Sequence, residues 1–544
     1  MAVLLCIPAA SATAFAANND VTVTINGELI SFDQPPIIVD GRTLVPIRAV
    51  CEKLGALVGW EHATQTVTIT KGALVLSLKI GDREMRVSNE NSIYLDVPPQ
   101  IYNGRTLLPI RAVVEKLGCN VLWDERNRQV IIGQPDMGQS DTIMVPGVAN
   151  TQRTGISNWA NVSSVQQFAY KNEGLAYAYI KGGNLEITTP SKQLTLEMKY
   201  PILGDLISDL DGNFYVIWGR EGSINSDQTV FISQYTGDGV HVRTTGFTGK
   251  SYMGEDGNTK IPFSHGNCVS AIGDGYLMVN YARSMYNGHQ SNNVVGVKIS
   301  DMSPVEYDSV WSIPYTSHSF NQSVVWSHKI GGFVYADHGD AYSRGFVITS
   351  DTGKKTIFNF YLEANANYNM FVVNKTFAQL GGLVETSKGV VFAGASAKSI
   401  SEAAKNEKQN LFIQIFDPGA KEVSPSMFVG GSVRTGATAT DINDNRNSPL
   451  TSVSDYGVHW LTNYTDTDVI APQVVLADDR IVILWGTNAD TFYMVLSADG
   501  TVLKPATSLA GWSLNSFESP VFHNGAIHWV SVNNEKLIVR SIDL

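Results

Sequence analysis

The chain has 544 residues, 43% of them apolar, and a formal net charge of −12 at pH 7. This length predicts at least two domains. The apolar fraction is typical of a folded protein and excludes a disordered chain. The acidic balance argues against a nucleic-acid partner, which requires a basic face.

The first sixteen residues have the pattern of a secretory signal peptide. Apolar residues run from Ala2 to Ile7, small residues follow, and Ala14-Phe15-Ala16 fits the cleavage pattern. The positively charged start of such a signal is missing, so we expect a truncated or internal start; a short buried segment is the alternative. The stretch is too short to cross a bilayer, and no later run of about 18 apolar residues exists. We therefore predict a secreted protein, free or associated with the cell wall, without a transmembrane segment.

Residues 17–134 contain an internal repeat. The run GRTLVPIRAVCEKLGA that begins at Gly41 recurs 63 residues later as GRTLLPIRAVVEKLGC from Gly104. In both copies an aspartate and a Pro-Pro pair come before the run, and a tryptophan comes after it. So many identities at one offset indicate a duplicated module.

Each copy predicts strands around one short helix. In the first copy, Pro46 suits a first helical turn and Gly55 suits the helix C-terminus. Apolar residues between them have helical spacing. The strand before the helix ends in Asn-Gly, a hairpin turn signal. One helix cannot cover a sheet alone, so we expect the two copies to pair into one α+β domain.

The two GRTL-PIRAV-EKLG runs and their tryptophans resemble the N-terminal domain of copper amine oxidases, which recurs in secreted Firmicute proteins as a stalk or wall-associated module. The resemblance covers about residues 20–134. It implies a small sheet wrapped on a helix and an extracellular location. It does not imply amine oxidation, because that domain of the family carries no catalytic residue.

Arginine and glutamate recur four residues apart on both predicted helices, as Arg48 with Glu52 and Arg111 with Glu115. One hypothesis is that the arginines recognise an anionic wall polymer. The alternative, which we favour, is an ion pair on the helix surface.

Three cysteines remain once Cys6 is removed with the signal. Cys51 and Cys119 lie in different copies of the repeat, and Cys268 lies in the remainder of the chain. A disulfide between the first two is one interpretation for an exported protein. Buried free thiols are the interpretation we favour for all three.

Residues 135–150, with two prolines and two glycines, are predicted to be a linker. Residues 151–544 show short apolar runs separated by Gly, Asp, Asn and Ser, which predicts an all-β domain. A turn residue followed by an apolar strand recurs at Glu173, Asp211, Asp274, Gly331, Lys388, Asp478 and Asn524. Most of these strands are followed by a second strand, so we predict a β-propeller of about seven blades, with a large β-sandwich as the alternative.

A closed propeller joins the two ends of its chain within one blade. We expect the last strand, KLIVRSIDL, to pair with a strand near Val165–Tyr170.

The residues argue against the known enzyme chemistries that we considered. Copper amine oxidation requires Asn-Tyr followed by an acid, and a His-x-His pair for copper. Here Thr465 follows Asn463-Tyr464, and no His-x-His is present, so copper and a quinone cofactor are not expected. The turns Thr349–Gly353 and Ser497–Gly500 match only part of the Asp-box pattern of sialidases. No serine-hydrolase, nucleotide-binding or zinc motif is present.

Two sets of residues are candidates for binding. Asp441, Asn443 and Asn445 alternate as calcium ligands do, although a solvated loop is the alternative that we favour. Aligned strands also place aromatic and charged residues at one predicted level of the propeller, where an open mouth would suit a glycan or peptide. These residues are Trp218, Arg220, Tyr281, Arg283, Asp337, His338 and Trp485. The alternative is that the aromatic residues pack between blades.

The sequence therefore favours a protein of the cell envelope that binds or scaffolds, and disfavours an enzyme. The partner would be a wall glycan or a surface protein. A secreted propeller hydrolase or lyase acting on polysaccharide is the rival hypothesis. An enzyme should show a deep cleft with paired carboxylates or a base with a perturbed pKa.

Overall fold

A computed structural model gives the structure of the chain. It describes residues 21–544 except 26–27, 89, 125–127, 134–138, 154, 156–159, 252–253, 308–313, 315, 317, 340–344, 351–352, 360–376, 399–405, 420–457, 489 and 510. The predicted signal peptide, residues 1–16, and the predicted calcium ligands Asp441, Asn443 and Asn445 lie outside the described residues. The chain divides into two compact units, Met1–Ile132 and Gly133–Leu544.

The first unit combines short strands with two helices of seven residues each. Its elements are β1 (Thr22–Ile25), β2 (Glu28–Leu29), β3 (Ile37–Val39), β4 (Arg42–Pro46), α1 (Ile47–Lys53), β5 (Leu57–Glu61), β6 (Thr66–Lys71), β7 (Leu74–Lys79), β8 (Glu84–Val87), β9 (Ile93–Tyr94), β10 (Gln100–Tyr102), β11 (Arg105–Pro109), α2 (Ile110–Lys116), β12 (Asn120–Asp124) and β13 (Gln129–Gly133).

The two copies of the repeat share their sheets. The sheet order β12-β13-β1-β2 joins the first strands of copy one to the last strands of copy two. Strand β4 pairs with its counterpart β11 in the order β10-β11-β4-β3, with Val45 opposite Leu108. A third sheet has the order β5-β6-β7-β8-β9. Because each of the three sheets contains strands of both copies, neither copy alone can complete the fold.

Residues of the repeated motif connect the two copies reciprocally. Arg42 of the first copy forms an ion pair of 2.6 Å with Asp96 of the second, and Arg105 forms one of 2.5 Å with Asp33. These four side chains are exposed, so each pair adds little stability.

On α1, Arg48 lies 3.5 Å from Glu52 and donates to the carbonyl of Val58 at 3.0 Å. The structure therefore contains the ion pair on the helix surface that we favoured for Arg48. Recognition of a wall polymer by Arg48 and Arg111 stays a prediction.

Both helices bury their predicted apolar face in one shared core. Cys51 and Cys119 lie in that core, Cys268 is buried in the second unit, and no disulfide joins these three cysteines among the described residues. Burial raises the pKa of Cys51 to about 12, so the thiol form is inert at neutral pH. The structure thus agrees with the free-thiol interpretation rather than the disulfide.

Helix α1 ends where the sequence predicts. Its C-terminal cap is Leu54, and the following Gly55 has a φ of 76°. A residue with a Cβ is strained in this left-handed conformation, which glycine adopts freely.

We predict that Gly55→Ala destabilises the first unit by about 1 kcal/mol. The cause is the backbone conformation alone, since a Cβ at Gly55 would meet no atom within 4 Å. Hydrogen exchange of the α1 amides measures this unit separately from the rest of the chain. Gly59→Ala is the matched control: Gly59 has no positive φ and its added Cβ would lie 3.8 Å from the nearest atom. Equal exchange rates in the two variants would refute the prediction.

The described residues of the second unit are mainly in strands, and a short 3-10 helix lies at Glu255–Gly257. The strands are β14 (Gln139–Met144), β15 (Val165–Tyr170), β16 (Gly174–Lys181), β17 (Asn184–Thr188), β18 (Gln193–Glu197), β19 (Ile202–Ser208), β20 (Phe214–Gly219), β21 (Val230–Tyr235), β22 (His241–Phe247), β23 (Thr259–Pro262), β24 (Cys268–Gly273), β25 (Tyr276–Met285), β26 (Gln290–Lys298), β27 (Ser319–Ser327), β28 (Gly332–Gly339), β29 (Gly345–Ser350), β30 (Gly353–Asn359), β31 (Gln379–Thr386), β32 (Gly389–Ser396), β33 (Asn410–Phe416), β34 (His459–Trp460), β35 (Ile470–Ala477), β36 (Arg480–Gly486), β37 (Thr491–Leu496), β38 (Val502–Leu509), β39 (Val521–His523), β40 (Ala526–Asn533) and β41 (Lys536–Asp543).

These strands form successive antiparallel sheets. Four consecutive strands make up each of the sheets β15–β18, β19–β22, β23–β26, β27–β30, β31–β34 and β35–β38, and β39–β41 form a sheet with β14. The prediction of an all-β second domain is confirmed. The sheets arise because each turn residue is followed by an apolar strand that can be buried on both faces.

The inner strands of these sheets lie in a ring. Strands β15, β19, β24, β27, β31, β35 and β39 each contact the next in this order, and β39 contacts β15. The sheets therefore radiate from a central channel in a propeller-like arrangement.

The chain closes the ring differently from our expectation. Strand β41 pairs with β14, Ser541 opposite Gln139 and Lys536 opposite Met144, and not with Val165–Tyr170. Strand β14 lies within residues 135–150, which the sequence predicted as a linker. That prediction is wrong for 139–144, because the polar run QSDTIM has no apolar alternation and its strand is stabilised by the edge of β41.

No helix among the described residues is both long and apolar enough to cross a membrane.

Candidate functional site

The aromatic residues of the predicted mouth are buried. Trp218 and Trp485 are each 0% exposed. Trp218 packs among the apolar residues of the first two sheets, and the ring of Trp485 stacks on Phe492 at 5.7 Å. These side chains are inaccessible to a ligand, so the structure contradicts the open aromatic mouth. The alternative, packing between sheets, is what the structure contains.

Tyr281 and Arg283 are also fully buried, on strand β25. The structure brings them together at Thr259: the hydroxyls of Tyr281 and Thr259 lie 3.0 Å apart, and Arg283 donates to Thr259 at 3.2 Å and to Ser291 at 3.0 Å. Burial raises the pKa of Tyr281. This cluster holds β23 against β25 and is a structural element, which corrects the prediction for both residues.

Asp337 and His338 lie inside the sheet β27–β30, and Arg220 lies at the surface. Asp337 accepts from Ser319 at 2.7 Å and from Asn292 at 3.0 Å. His338 is 0% exposed and packs against Phe346. The prediction that Asp337 and His338 face an open mouth is therefore wrong, because both side chains are buried. The exposed Arg220 donates to the carbonyl of Gln228 at 2.9 Å and lies over Phe231. A binding role for Arg220 stays a prediction.

The turn at Ser497–Gly500, which partly resembles an Asp box, is an ordinary hairpin connection between β37 and β38. Asp499 accepts from the hydroxyl of Ser497 at 2.5 Å and from the amide of Thr501 at 3.1 Å. These hydrogen bonds lower the pKa of Asp499 to about 2. The second such turn includes residues 351–352, which lie outside the described part of the chain.

The central channel is the candidate site that the structure offers instead. It encloses about 340 Å³ and is lined by the inner strands β15, β19, β24, β27, β31 and β35, together with residues 516–520 before β39. Pockets of about 300–1,000 Å³ are typical of small-molecule sites. Bulges interrupt the inner strands at Leu203/Asp205, Ser319/Gln322, Leu380/Gly382 and Ile470/Gln473. Bulges redirect side chains, and here they lie beside the channel.

Asp205 lies in the channel wall and is 8% exposed. Its carboxylate accepts from the amide of Leu206 at 2.7 Å and from the hydroxyl of Ser270 at 2.6 Å. Burial nevertheless raises the pKa of Asp205 to about 6, and the two hydrogen bonds oppose the rise. The group thus changes charge in the range where acid–base side chains work.

Glu518 lines the same channel. Its side chain is partly exposed to the channel, yet protein surrounds the carboxyl group, and this burial raises its pKa well above the usual value. The negative charge of Asp205 raises it further. Both carboxyl groups therefore hold a proton more tightly than they would in water.

Arg153 adds a cation to the channel wall. Its guanidinium lies 5.1 Å from the centre of the Phe517 ring. Burial lowers the pKa of Arg153 to about 10, so it remains charged at neutral pH.

Glutamines connect neighbouring sheets around the channel. The main-chain carbonyl of Glu518 accepts from Gln167 at 3.1 Å and from Gln473 at 2.8 Å. Gln379 donates to Val469 at 2.8 Å and accepts from the amide of Ala471 at 2.9 Å. These bonds bridge inner strands and rigidify the wall.

These residues lie outside the set predicted from the sequence, which came from the strands that follow each turn. The channel is lined by the strands that precede them. A signal was available there: Gln167, Gln322, Gln379 and Gln473 each begin an apolar run that leads to a recognised turn. Asp205 has the corresponding position before Asp211.

Known proteins resemble separate parts of the chain. The family described as copper amine oxidase N-terminal domain matches residues 24–132, which confirms the resemblance inferred from the repeat. A protein of Brevibacillus choshinensis described as a protease inhibitor is 27% identical over 140 residues, which are 25% of this chain and 42% of that protein. The chain thus spans about two-fifths of that relative's length.

Solved structures, one of them a β-propeller domain, are similar to most of the chain at low identity. The β-propeller domain of the Trilobed protease from Pyrococcus furiosus is 10% identical, with a TM-score of 0.37, and covers 71% of this chain and 97% of its own. The α-L-arabinanase of Penicillium chrysogenum is 9% identical, with a TM-score of 0.33, and covers 74% of this chain and 98% of its own. The AfRom2 CNH domain is 9% identical, with a TM-score of 0.33, and the match covers 74% of this chain and 99% of that domain. Similarities at this level say nothing of this chain's activity.

Proposed function

We propose that the chain is a secreted binding protein of the cell envelope, in which the duplicated module is a stalk and the second unit is a seven-bladed β-propeller that recognises a glycan or protein ligand. The observation that carries the proposal is the channel, in which every inner strand or its neighbour contributes to one polar cavity of about 340 Å³. The stalk role rests on the match of residues 24–132 to the amine oxidase N-terminal domain. The signal-like N-terminus supports secretion.

The test is retention of the full chain on purified Gram-positive cell walls, measured by co-sedimentation. Ser519 lines the channel and is exposed, so Ser519→Trp should fill the cavity without disturbing the core. We expect retention to fall at least 10-fold, which corresponds to about 1.4 kcal/mol.

Ser191→Trp is the matched control, because Ser191 is exposed between the outer strands β17 and β18. It should bind as the unchanged chain does. Retention that survives Ser519→Trp would place binding outside the channel, and no retention of the unchanged chain would refute the envelope role.

A polysaccharide hydrolase or lyase is the second candidate, and the Asp205–Glu518 pair favours it. In such an enzyme Glu518, whose pKa burial raises well above the usual value, is the general acid and Asp205 is its partner carboxylate. Release of new reducing ends from wall polysaccharide, abolished by Glu518→Gln, would establish catalysis. Binding without product formation would leave the recognition function.

A further inference from the structure

Two histidines meet where neighbouring sheets of the second unit come together. His289 directly precedes β26, and His318 directly precedes β27. The centres of their rings lie 5.4 Å apart, and the ring planes are tilted by 42°. His289 is exposed and His318 is partly exposed, so a solute can reach the pair from solvent.

The main chain holds this pair in place. The amide of His318 donates at 2.9 Å to the carbonyl of Gln290, the residue after His289. The amide of His289 donates to Oδ1 of Asn287 at 3.0 Å, and its carbonyl accepts from the amide of Met285 at 2.8 Å. Because these hydrogen bonds fix both backbone positions, a ligand shared by the two rings orders little more than the side chains.

The separation of the two rings suits one metal ion between them. Tetrahedral zinc binds an imidazole nitrogen at about 2.1 Å, and the ring centre lies about 1.1 Å behind that nitrogen, so two such rings have centres about 5.2 Å apart. The observed distance is 5.4 Å. The χ2 angle of histidine has a broad distribution, so the exposed ring of His289 can turn a nitrogen towards the ion at little cost.

A second histidine pair does not have this spacing. The ring centres of His523 and His528 lie 6.5 Å apart. Two imidazoles on opposite sides of one ion reach only about 6.4 Å. In addition, Nε2 of His528 lies 3.4 Å from the carbonyl oxygen of His523. Of these two pairs, only His289 and His318 are placed to share an ion.

From this geometry we propose that His289 and His318 bind one divalent transition-metal ion, such as Zn²⁺, between the sheets β23–β26 and β27–β30. Imidazole is a common ligand of zinc, copper and nickel, whereas Ca²⁺ and Mg²⁺ take oxygen ligands. The site is separate from the channel, whose lining contains neither histidine.

The pair supplies two of the four ligands that zinc takes. The described residues contain no group of three or more His, Cys, Asp and Glu side chains placed to hold a metal. The remaining coordination positions are therefore open to water or to a donor group of a ligand. Since the ion joins two neighbouring sheets of the folded chain, its binding stabilises that chain against unfolding.

Calorimetric titration of the full chain tests the site, with zinc chloride, nickel chloride and calcium chloride as separate titrants. His289→Ala removes an exposed ring. His318→Asn removes the other ring and keeps the left-handed φ of 49°, which asparagine tolerates. The matched control is His523→Ala, which removes a histidine of the wider pair. Melting temperatures are measured with and without zinc.

We expect zinc to bind the unchanged chain, and His289→Ala and His318→Asn each to weaken this binding at least 10-fold. Zinc should raise the melting temperature of the unchanged chain and of His523→Ala, but not of the other two variants. Nickel should compete with zinc for the site, and calcium should not. The metal-free variants should melt as the unchanged chain does, which separates a loss of ligands from a loss of folding.

Three results would overturn the proposal. One is the absence of zinc binding by the unchanged chain. Another is zinc binding by His289→Ala and His318→Asn that equals that of the unchanged chain. The third is a loss of zinc affinity in His523→Ala as large as in these two variants, which would place the ion elsewhere.

Discussion

Replacing Asp205 by asparagine should stabilise the protein at pH 7. The folded-state pKa of about 6 lies above the usual value of 3.8, so the folded chain binds a proton more tightly than the unfolded chain does. Stability from this group is therefore complete below about pH 4 and is lost as the pH rises to about 6. The full difference corresponds to about 3 kcal/mol.

The asparagine variant should keep the local structure, since its Oδ1 can accept from the amide of Leu206 while its Nδ2 donates to the hydroxyl of Ser270, which reverses that hydrogen bond. We expect urea unfolding to give a variant more stable than the unchanged chain by up to about 3 kcal/mol at pH 7, and about equal to it at pH 4. Asp238→Asn is the control, because Lys192 lowers the pKa of that exposed carboxyl and the variant should show the opposite, smaller trend. A loss of stability at pH 7 in the Asp205 variant would mean that the ionised carboxylate is stabilised in the channel.

Removing strand β14 should destabilise the second unit severely. A fragment of residues 151–544, cut at the domain boundary that the sequence predicts, lacks all six residues that pair with β41. It also lacks Val145 and Val148, which are buried against Val165 and Leu537. Burial of two valines contributes about 3–6 kcal/mol, and the uncovered edge of β41 promotes association.

The comparison fragment is residues 133–544, which keeps the strand. We expect it to remain soluble with a sharp melting transition, and the shorter fragment to aggregate or to melt at least 10 °C lower. Equal melting temperatures would show that closure by β14 contributes nothing to the fold.

Much of the architecture could be predicted because it depends on residue patterns within single helices, strands and turns. The apolar face of α1 and the glycine at position 55 each depend on neighbours within a few residues. The repeat that begins at Gly41 and Gly104 is visible by direct comparison of two runs of the sequence. Turn residues followed by apolar runs likewise indicated the strands of the second unit. The pairing of β14 with β41 could not be predicted, because the strand is polar and its partner lies almost 400 residues away in the chain.

The candidate site was predictable only in part. Aromatic residues such as Trp218 and Trp485 suggested a mouth, but a large side chain on a second strand fills the space between sheets. Asp337 was predicted to face a ligand. Instead it accepts a hydrogen bond from Ser319, whose hydroxyl accepts one from Gln322 in the channel wall. Asp205 and Glu518 lie more than 300 residues apart, and only ring closure brings both into one cavity.

The most direct test of the channel as the ligand site is a crystal structure of the full chain with a saccharide fragment of the cell wall on which it is retained. We predict density for the saccharide in the channel, in contact with residues of the inner strands β15, β19 and β35. A saccharide bound on the outer strands, with water alone in the channel, would contradict it.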